Sequence, residues 1–317
     1  MKITKSELKE MINKSVERQL RNTEFNQYNR KKINHQRNNY NNYRRNVNES
    51  SDIEYKYFPK NKKELIENIQ QEIKLNGYKC DLNIINTSKI KDMSELFYLY
   101  AEKFKGDISK WDVSNVRNMA SMFKLSDFNG DISKWNVSKV TDMHLMFKAS
   151  EFKGDISKWN VGNVENMADM FKATEFNGNI SKWNVSKVKD MSDMFNSATF
   201  NKDISKWNVG NVTNMNSMFK FSKFNGNISK WNVSKVQDMS FMFYGSKFTG
   251  DISKWDISKV LDMSHMLENT YFSKKGKIPN WKNKINSDCS VWHFGVGNIN
   301  KLEDFDVYYR QMVLDNL

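Results

Sequence analysis

The chain has 317 residues, of which 38% are hydrophobic and 27% charged, and its formal net charge is +13. A run of about 18 apolar residues is absent, so no membrane span is predicted, and residues 1–20 lack the apolar core of a secretory signal. Cys80 and Cys289 lie on opposite sides of a long repeated region, too far apart for a predicted disulfide.

Residues 1–20 are predicted to form an amphipathic helix. Thr4 and Glu7 make a capping box at its start. An apolar stripe at helical spacing follows, made by Leu8, Met11, Ile12, Val16 and Leu20. Because a lone helix of this length is marginally stable in water, we expect the stripe to self-associate or to dock on another surface.

Residues 21–58 are predicted to be a basic, Asn-rich flexible linker, since their composition offers little apolar surface to bury. Aromatic side chains lie among its basic residues, a pattern typical of disordered segments that bind single-stranded nucleic acid. The candidate contacts with an anionic polymer are Arg30, Lys31, Lys32, Arg37, Arg44 and Arg45. A plain linker and a polyanion-binding arm both stay open as interpretations.

Residues 59–84 are predicted to form an N-terminal capping helix. Asn61 and Glu64 make a second capping box, and the helix is expected to end near Gly77. Its apolar face consists of Leu65, Ile66, Ile69 and Ile73. Since the terminal unit of a repeat stack would expose apolar surface, we expect this helix to cover the first repeat.

Residues 85–281 consist of copies of one sequence motif that recurs with a period of 24 residues. The tryptophans that mark the period are Trp111, Trp135, Trp159, Trp183, Trp207, Trp231 and Trp255. A fixed period in this range indicates repeats that stack on one another, because a single unit cannot bury its own apolar face. A longer period of 48 residues is also present, since V-S-K alternates with V-G-N after successive tryptophans.

Apolar residues within each repeat follow two different patterns of spacing. β-branched residues near the tryptophan favour a short strand, and the M-x-x-M-F stretch has helical spacing. The sequence therefore predicts an α/β repeat solenoid, in which each coil has a short parallel strand and a short helix. The tryptophans and 14 of the 18 methionines are predicted to fill its core. A row of exposed tryptophans that binds carbohydrate is the alternative.

Each repeat also carries an aspartate or asparagine immediately before an isoleucine. The residues are Asp107, Asp131, Asp155, Asn179, Asp203, Asn227 and Asp251. A calcium site needs several oxygen ligands that converge on one ion, whereas this position is single and varies in charge. We therefore expect these side chains to cap a turn.

A lysine immediately before each tryptophan is the repeated charge with the least obvious structural role. The seven are Lys110, Lys134, Lys158, Lys182, Lys206, Lys230 and Lys254. One interpretation is that their aliphatic stems cover the tryptophan rings. The other is a basic stripe that binds an anionic polymer, and the seven lysines are candidate binding residues on that interpretation.

Residues 282–317 break the period and are predicted to form a C-terminal cap. No catalytic motif appears anywhere in the chain: the four histidines occupy unrelated positions, and every row of carboxylates belongs to the repeat. We therefore expect no enzymatic activity, no cofactor and no metal.

The unit F-N-G-D-I-S-K-W-N-V-S-K-V-T-D-M-x-x-M-F resembles the BspA-like leucine-rich-repeat surface proteins and the related mycoplasma-type repeat proteins of unknown function. The lead-in P-K-N-K-K-E-L-I-E-N-I is similar to the entry cap of that family, so the resemblance covers residues 59–281. It implies a right-handed leucine-rich-repeat-like coil with roles in adhesion or protein binding at the cell surface. No secretory signal or lipobox accompanies it, so cytoplasm and virion stay open as compartments.

Three hypotheses for function follow. The first is a non-catalytic scaffold that binds a protein or glycan partner on the solenoid surface. The second is a binder of polyanions or nucleic acid through the arm at residues 21–45 and the lysine row. The third is a structural component, for example of a phage virion, docked by its N-terminal helix.

Overall fold

The computed structural model describes residues 54–100, 103–271, 279, 281, 289 and 290. The predicted helix at 1–20, the linker up to residue 53 and most of the predicted C-terminal cap lie outside the described residues. Two helices have defined bounds: the α-helix α1 (Lys62–Asn76) and a 3₁₀ helix (Tyr98–Tyr100).

α1 begins and ends at the capping residues that the sequence predicts. The Asn61 side chain accepts a hydrogen bond from the Glu64 N–H over 3.0 Å, and the Glu64 carboxylate accepts one from the Lys60 N–H over 2.9 Å. At the other end the N–H of Gly77, whose φ is 77°, donates to the Ile73 carbonyl over 2.9 Å. The predicted N-cap at Asn61 and the glycine end are therefore confirmed, whereas the Glu64 carboxylate accepts from the N–H of Lys60 rather than from that of Asn61.

The apolar face of α1 packs into the core of the repeats. Leu65 and Ile69 are fully buried, and Ile66, predicted on the same face, is partly buried against them. Tyr57 lies near the end of the range predicted as linker, residues 21–58. It is buried and forms a parallel bridge with Ile85 in the first repeat.

A buried carboxylate ties this entry segment to α1. Glu72 accepts hydrogen bonds from the Tyr57 hydroxyl over 2.6 Å, from the Asn76 amide over 2.7 Å and from the Lys56 ammonium. Desolvation would raise the pKa of Glu72, but the hydrogen bonds from Lys56 and Tyr57 outweigh it and hold the pKa below its usual value. The ionised form of Glu72 is therefore the form that stabilises the fold.

We expect Glu72→Gln to lower the free energy of unfolding at pH 7 by about 1–3 kcal/mol, because charge-assisted hydrogen bonds are lost in a buried place. A depressed folded-state pKa contributes stability above the unfolded-state pKa, and this contribution is lost as the pH falls through the folded-state pKa. The difference between the two proteins should therefore shrink below about pH 4. Urea unfolding at several pH values measures it, with the exposed Lys63→Gln as control. A difference that does not change with pH would contradict this role.

The repeats stack through their backbones, and each coil is named here by its tryptophan. Parallel bridges join successive coils at one position per coil, from Asp92↔Asn118 through to Asp238↔Asp262. Every second N–H from Met119 to Leu125 donates to a carbonyl of the next coil over 2.8–2.9 Å. The N–H groups of Met122 and Lys124 instead donate to the carbonyl three residues earlier in the same coil, as from Lys124 to Ser121 over 3.2 Å.

The predicted α/β composition of the coils is not confirmed. From the Trp111 coil to the Trp255 coil, the described residues show single bridges in place of the predicted strand and turns in place of the predicted helix, while the 3₁₀ helix Tyr98–Tyr100 lies in the first coil. In the Trp111 coil, Ser121 has φ 57° and Leu125 has φ 60°, and corresponding residues with positive φ recur in the following coils. An α-helix would direct every N–H along its own axis. Two left-handed residues per coil instead turn alternate N–H groups towards the neighbour.

The left-handed positions allow a test by substitution. Ala149 has φ 52°, and Gly245 occupies the equivalent position of a later coil with φ 62°. We expect Ala149→Gly to raise the free energy of unfolding by about 0.5–1 kcal/mol and Ala149→Val to lower it by more than about 1 kcal/mol. Urea unfolding measures both. If Ala149→Val had the higher free energy of unfolding of the two variants, the left-handed backbone conformation at this position would be contradicted.

Aromatic side chains fill the interior, as predicted for the tryptophans. Each repeat tryptophan is at most 4% exposed. In every coil after the Trp111 coil, its indole N–H donates to an isoleucine carbonyl of the preceding coil, for example from Trp183 to Ile156 over 3.1 Å. Phenylalanines form a continuous column beside them: the Phe195 ring lies 4.3 Å from Phe200 in its own coil and 5.8 Å from Phe219 in the next. The tryptophans are therefore core residues, and the exposed tryptophan row is wrong.

The aspartates and asparagines before the isoleucines cap turns, as predicted. In the Trp207 coil, Asp203 Oδ1 accepts from the Ser205 N–H over 2.8 Å. Asn208 and Asn214 accept in the same way from the N–H two residues later, over 3.2 and 3.0 Å. Three such turns per coil satisfy backbone donors at the bends of the chain.

Candidate functional site

The lysine row is exposed along its whole length. In five of the seven coils an aspartate lies three residues before the lysine, which makes the row alternate in sign. At Asp203, hydrogen bonds from Ser205 and, to a smaller extent, the charge of Lys206 hold the pKa below its usual value. The row is therefore a mixed-charge edge. The basic residues between Arg30 and Arg45, the other candidates, lie outside the described residues.

A second set of lysines explains the 48-residue period. The ammonium groups of Lys139 and Lys187 donate to the side-chain carbonyls of Asn115 and Asn163 in the preceding coil, over 2.7 and 2.6 Å. The Asn163 amide in turn donates to the Ser138 carbonyl over 2.7 Å. Alternation of lysine and asparagine thus links coils and keeps like charges apart. These lysines have a structural role.

Variable positions around the second left-handed residue form another edge of the stack. Near the middle of the chain this edge is held by ion pairs between a lysine of one coil and an aspartate 21 residues later. Lys148 pairs with Asp169 over 2.9 Å, and Lys172 pairs with Asp193 over 2.9 Å. The charges of this part of the edge are therefore matched within the protein.

Further along the same edge the chemistry changes to an aromatic cluster, formed by Lys220, Phe221, Phe241, Tyr244 and His265. The Lys220 ammonium lies 4.4 Å from the centre of the Phe241 ring and 5.3 Å from that of Tyr244. Phe241 stacks on His265 with centroids 4.4 Å apart, and Phe221 meets Tyr244 edge to face at 5.2 Å. The cluster spans three consecutive coils.

Lys220 differs from Lys148 and Lys172 in the residue that lies 21 positions later. Phe241 takes the position that Asp169 takes for Lys148. Within residues 54–100 and 103–271, Lys220 makes no ion pair. The cluster therefore holds a cation balanced by ring faces rather than by a carboxylate.

Three side chains of the cluster stand at the left-handed positions that recur from coil to coil. Phe221, Phe241 and His265 occupy left-handed positions, with φ 52°, 57° and 58°, which bulky residues adopt rarely and at an energetic cost. Phe221 is nevertheless 54% exposed. A Cβ at Gly245 would lie 2.5 Å from its ring, so glycine makes room for it. Exposed aromatic side chains that are held in an unfavourable backbone conformation, with a glycine that leaves space for one of the rings, are typical of a binding surface.

Sequence reasoning missed this cluster because its members are separated by up to 45 residues and occupy the variable positions of the repeat. The signal was nevertheless present. Phe221, Phe241 and Tyr244 stand where most other coils have small, acidic or basic residues. Deviations from a repeat are therefore more informative about binding than the repeat itself.

Sites of other kinds are not found in the described part of the chain. It contains no group of three or more His, Cys, Asp or Glu side chains placed to hold a metal ion. None of its helices has the length and apolar character needed to cross a membrane. Cys80 and Cys289 are both buried and unpaired, and burial raises their pKa values to about 11 and about 12.

Stacked coils and a continuous aromatic interior define a repeat protein. The chain belongs to the family described as Mycoplasma protein of unknown function, DUF285, whose model matches residues 63–179, 149–246 and 171–281. No curated protein and no solved structure matches the chain.

Proposed function

We propose that the protein is a non-catalytic repeat scaffold that binds another protein, and that the aromatic cluster around Lys220 is its contact point. The observation that supports this most strongly is the exposed Phe221 ring in a left-handed position. A repeat needs no exposed aromatic side chain there, since Ala149 and Ala173 fill the equivalent position elsewhere. Aromatic side chains are enriched at the centres of protein interfaces.

The resemblance to BspA-like leucine-rich-repeat surface proteins supports a finer version of this proposal. The protein is then a leucine-rich-repeat-like right-handed solenoid in which turns replace the strand and helix, with adhesion at a cell surface as its role. A long stack with a rigid interior suits adhesion because it presents distant surface positions in fixed relation.

Binding of an anionic polymer is the second candidate, and the exposed lysine row favours it. Five aspartates within the row weaken this candidate, since they repel phosphate groups at the same edge. A partner bound through the row would contact many coils equally.

Cross-linking of lysines in intact cells that make the protein, followed by mass spectrometry, tests the proposed function. We expect Lys223 and Lys247, exposed beside the cluster, to be joined reproducibly to one other protein. The exposed Lys134 and Lys158, on a distant part of the stack, serve as internal controls. Links spread evenly over the lysine row, or nucleic acid that copurifies at low salt and is released at high salt, would contradict the proposal.

A further inference from the structure

We infer that the aromatic cluster binds an acidic protein segment in which a carboxylate lies next to an apolar side chain. This inference rests on the proposed function and names the chemistry of the partner. Three features of the described residues lead to it: the charge of Lys220, the exposure of Phe221 and the way in which the Phe241 ring is already covered.

The charge of Lys220 calls for an anion from outside the chain. In two other coils of this edge the same lysine position, Lys148 or Lys172, is neutralised by Asp169 or Asp193, at 2.9 Å in both cases. Phe241 replaces that carboxylate and leaves the ammonium over a ring at 4.4 Å. A carboxylate brought by a partner would complete the pairing that the other coils make internally, in a place partly shielded from water by aromatic rings.

The exposed Phe221 ring supplies the apolar part of the surface. It is 54% exposed, whereas the phenylalanines inside the stack, such as Phe195 and Phe219, are fully buried. Gly245 and Tyr244 support the ring from below and from one edge. A supported ring loses little conformational freedom on binding, so covering it with an aliphatic or aromatic side chain gives a net gain in affinity.

The arrangement of Phe241 argues against sugars and nucleobases as the main ligand. Both are recognised by stacking on an open aromatic face. Phe241 already stacks on His265 at 4.4 Å and has the Lys220 ammonium over its ring. The Phe241 face is therefore already occupied, and the surface that remains, the Lys220 ammonium and the exposed Phe221 ring, fits a carboxylate next to an apolar side chain.

The test is a titration of the full chain with a labelled, blocked pentapeptide that has a central phenylalanine between two pairs of aspartates, followed by fluorescence anisotropy at low salt. We expect saturable one-to-one binding with a dissociation constant below about 1 mM. Lys220→Met keeps the aliphatic stem and should weaken binding about fivefold, the effect of losing about 1 kcal/mol of ion pairing. Phe221→Ala should weaken it by about tenfold or more.

Lys148→Met is the matched control, since Lys148 holds the same position but is paired with Asp169; it should leave peptide binding unchanged. Urea unfolding confirms that each variant is folded, and Phe221→Leu provides a second, milder change at the exposed ring. Absence of saturable binding at about 2 mM peptide, equal binding of the peptide with asparagines for aspartates, or competition by a neutral oligosaccharide would each overturn the inference. If cross-links from Lys223 and Lys247 still identify a protein partner, the proposed function stands without it.

Discussion

Trp183→Ala is expected to lower the free energy of unfolding by about 3–5 kcal/mol, the cost of emptying a large buried aromatic site. Trp183 is 3% exposed and donates its indole N–H to Ile156 in the preceding coil over 3.1 Å. Trp183→Phe keeps much of the ring but leaves the Ile156 carbonyl without this donor, so a smaller loss of about 1–3 kcal/mol is expected.

The position of Trp183 in the middle of the stack adds a second expected effect. Because each coil contacts only its neighbours, a weak central interface lets the two sides unfold separately. Urea unfolding followed by circular dichroism should therefore become broader, or show two transitions, for Trp183→Ala. Lys182→Ala, at the exposed neighbouring residue, is the control and should change the stability by no more than about 0.5 kcal/mol. A loss below about 1 kcal/mol for Trp183→Ala would contradict a tightly packed interior.

Ile69→Ala in α1 is the other substitution with a large expected effect. Ile69 is fully buried, in the same core as Ile85 of the first coil. We expect a loss of about 2–5 kcal/mol in the free energy of unfolding, because the cavity opens at the end of the stack. Since an end is affected rather than the middle, unfolding should stay a single transition with an earlier midpoint.

Leu75→Ala on the same helix is the matched control. Leu75 is 63% exposed, so the same kind of substitution should change the stability by no more than about 0.5 kcal/mol. Equal effects at Leu75 and Ile69 would show that α1 does not cover the first coil. Hydrogen exchange of the amides from Leu82 to Ile90 should rise in Ile69→Ala alone, because these residues lose their cover.

Burial could be predicted from the sequence, because the apolar rhythm repeats without interruption. Trp183, Met191 and Phe195 fall where the period places them, and all are at most 3% exposed. The caps of α1 could be predicted as well, since Asn61, Glu64 and Gly77 carry strong local preferences. These features depend on contacts close in sequence or on strict periodicity.

The backbone of the coils could not be predicted in the same way. Helical spacing of the methionines favoured a helix, yet the second of the two residues between them is left-handed, for example Asp169 with φ 57°. Serine, leucine, alanine and phenylalanine occupy these positions more often than glycine or asparagine, so the usual sequence signal of positive φ is missing. Hydrogen bonds to the neighbouring coil decide the conformation, and they exist only after stacking.

The aromatic cluster also depends on stacking, which brings together Lys220 and Phe241 from different coils. Such a site is hard to predict from a repeat sequence, because its residues occupy the variable positions and not the periodic ones. Yet the periodic tryptophans are buried and the periodic lysine row is mixed in charge, so the parts of the sequence that looked most prominent serve the scaffold. In this protein the residues that break the pattern carry the candidate binding chemistry.

Hydrogen exchange of the full chain with and without the acidic pentapeptide tests most directly whether binding is concentrated at this cluster. The N–H of Phe221 donates to the Tyr244 carbonyl over 2.8 Å and that of Phe241 to the Ser264 carbonyl over 2.8 Å, so these amides report on the cluster itself. We predict slower exchange confined to residues 217–222, 241–246 and 264–269. Slower exchange spread along the lysine row, or confined to residues 21–58, would contradict the account.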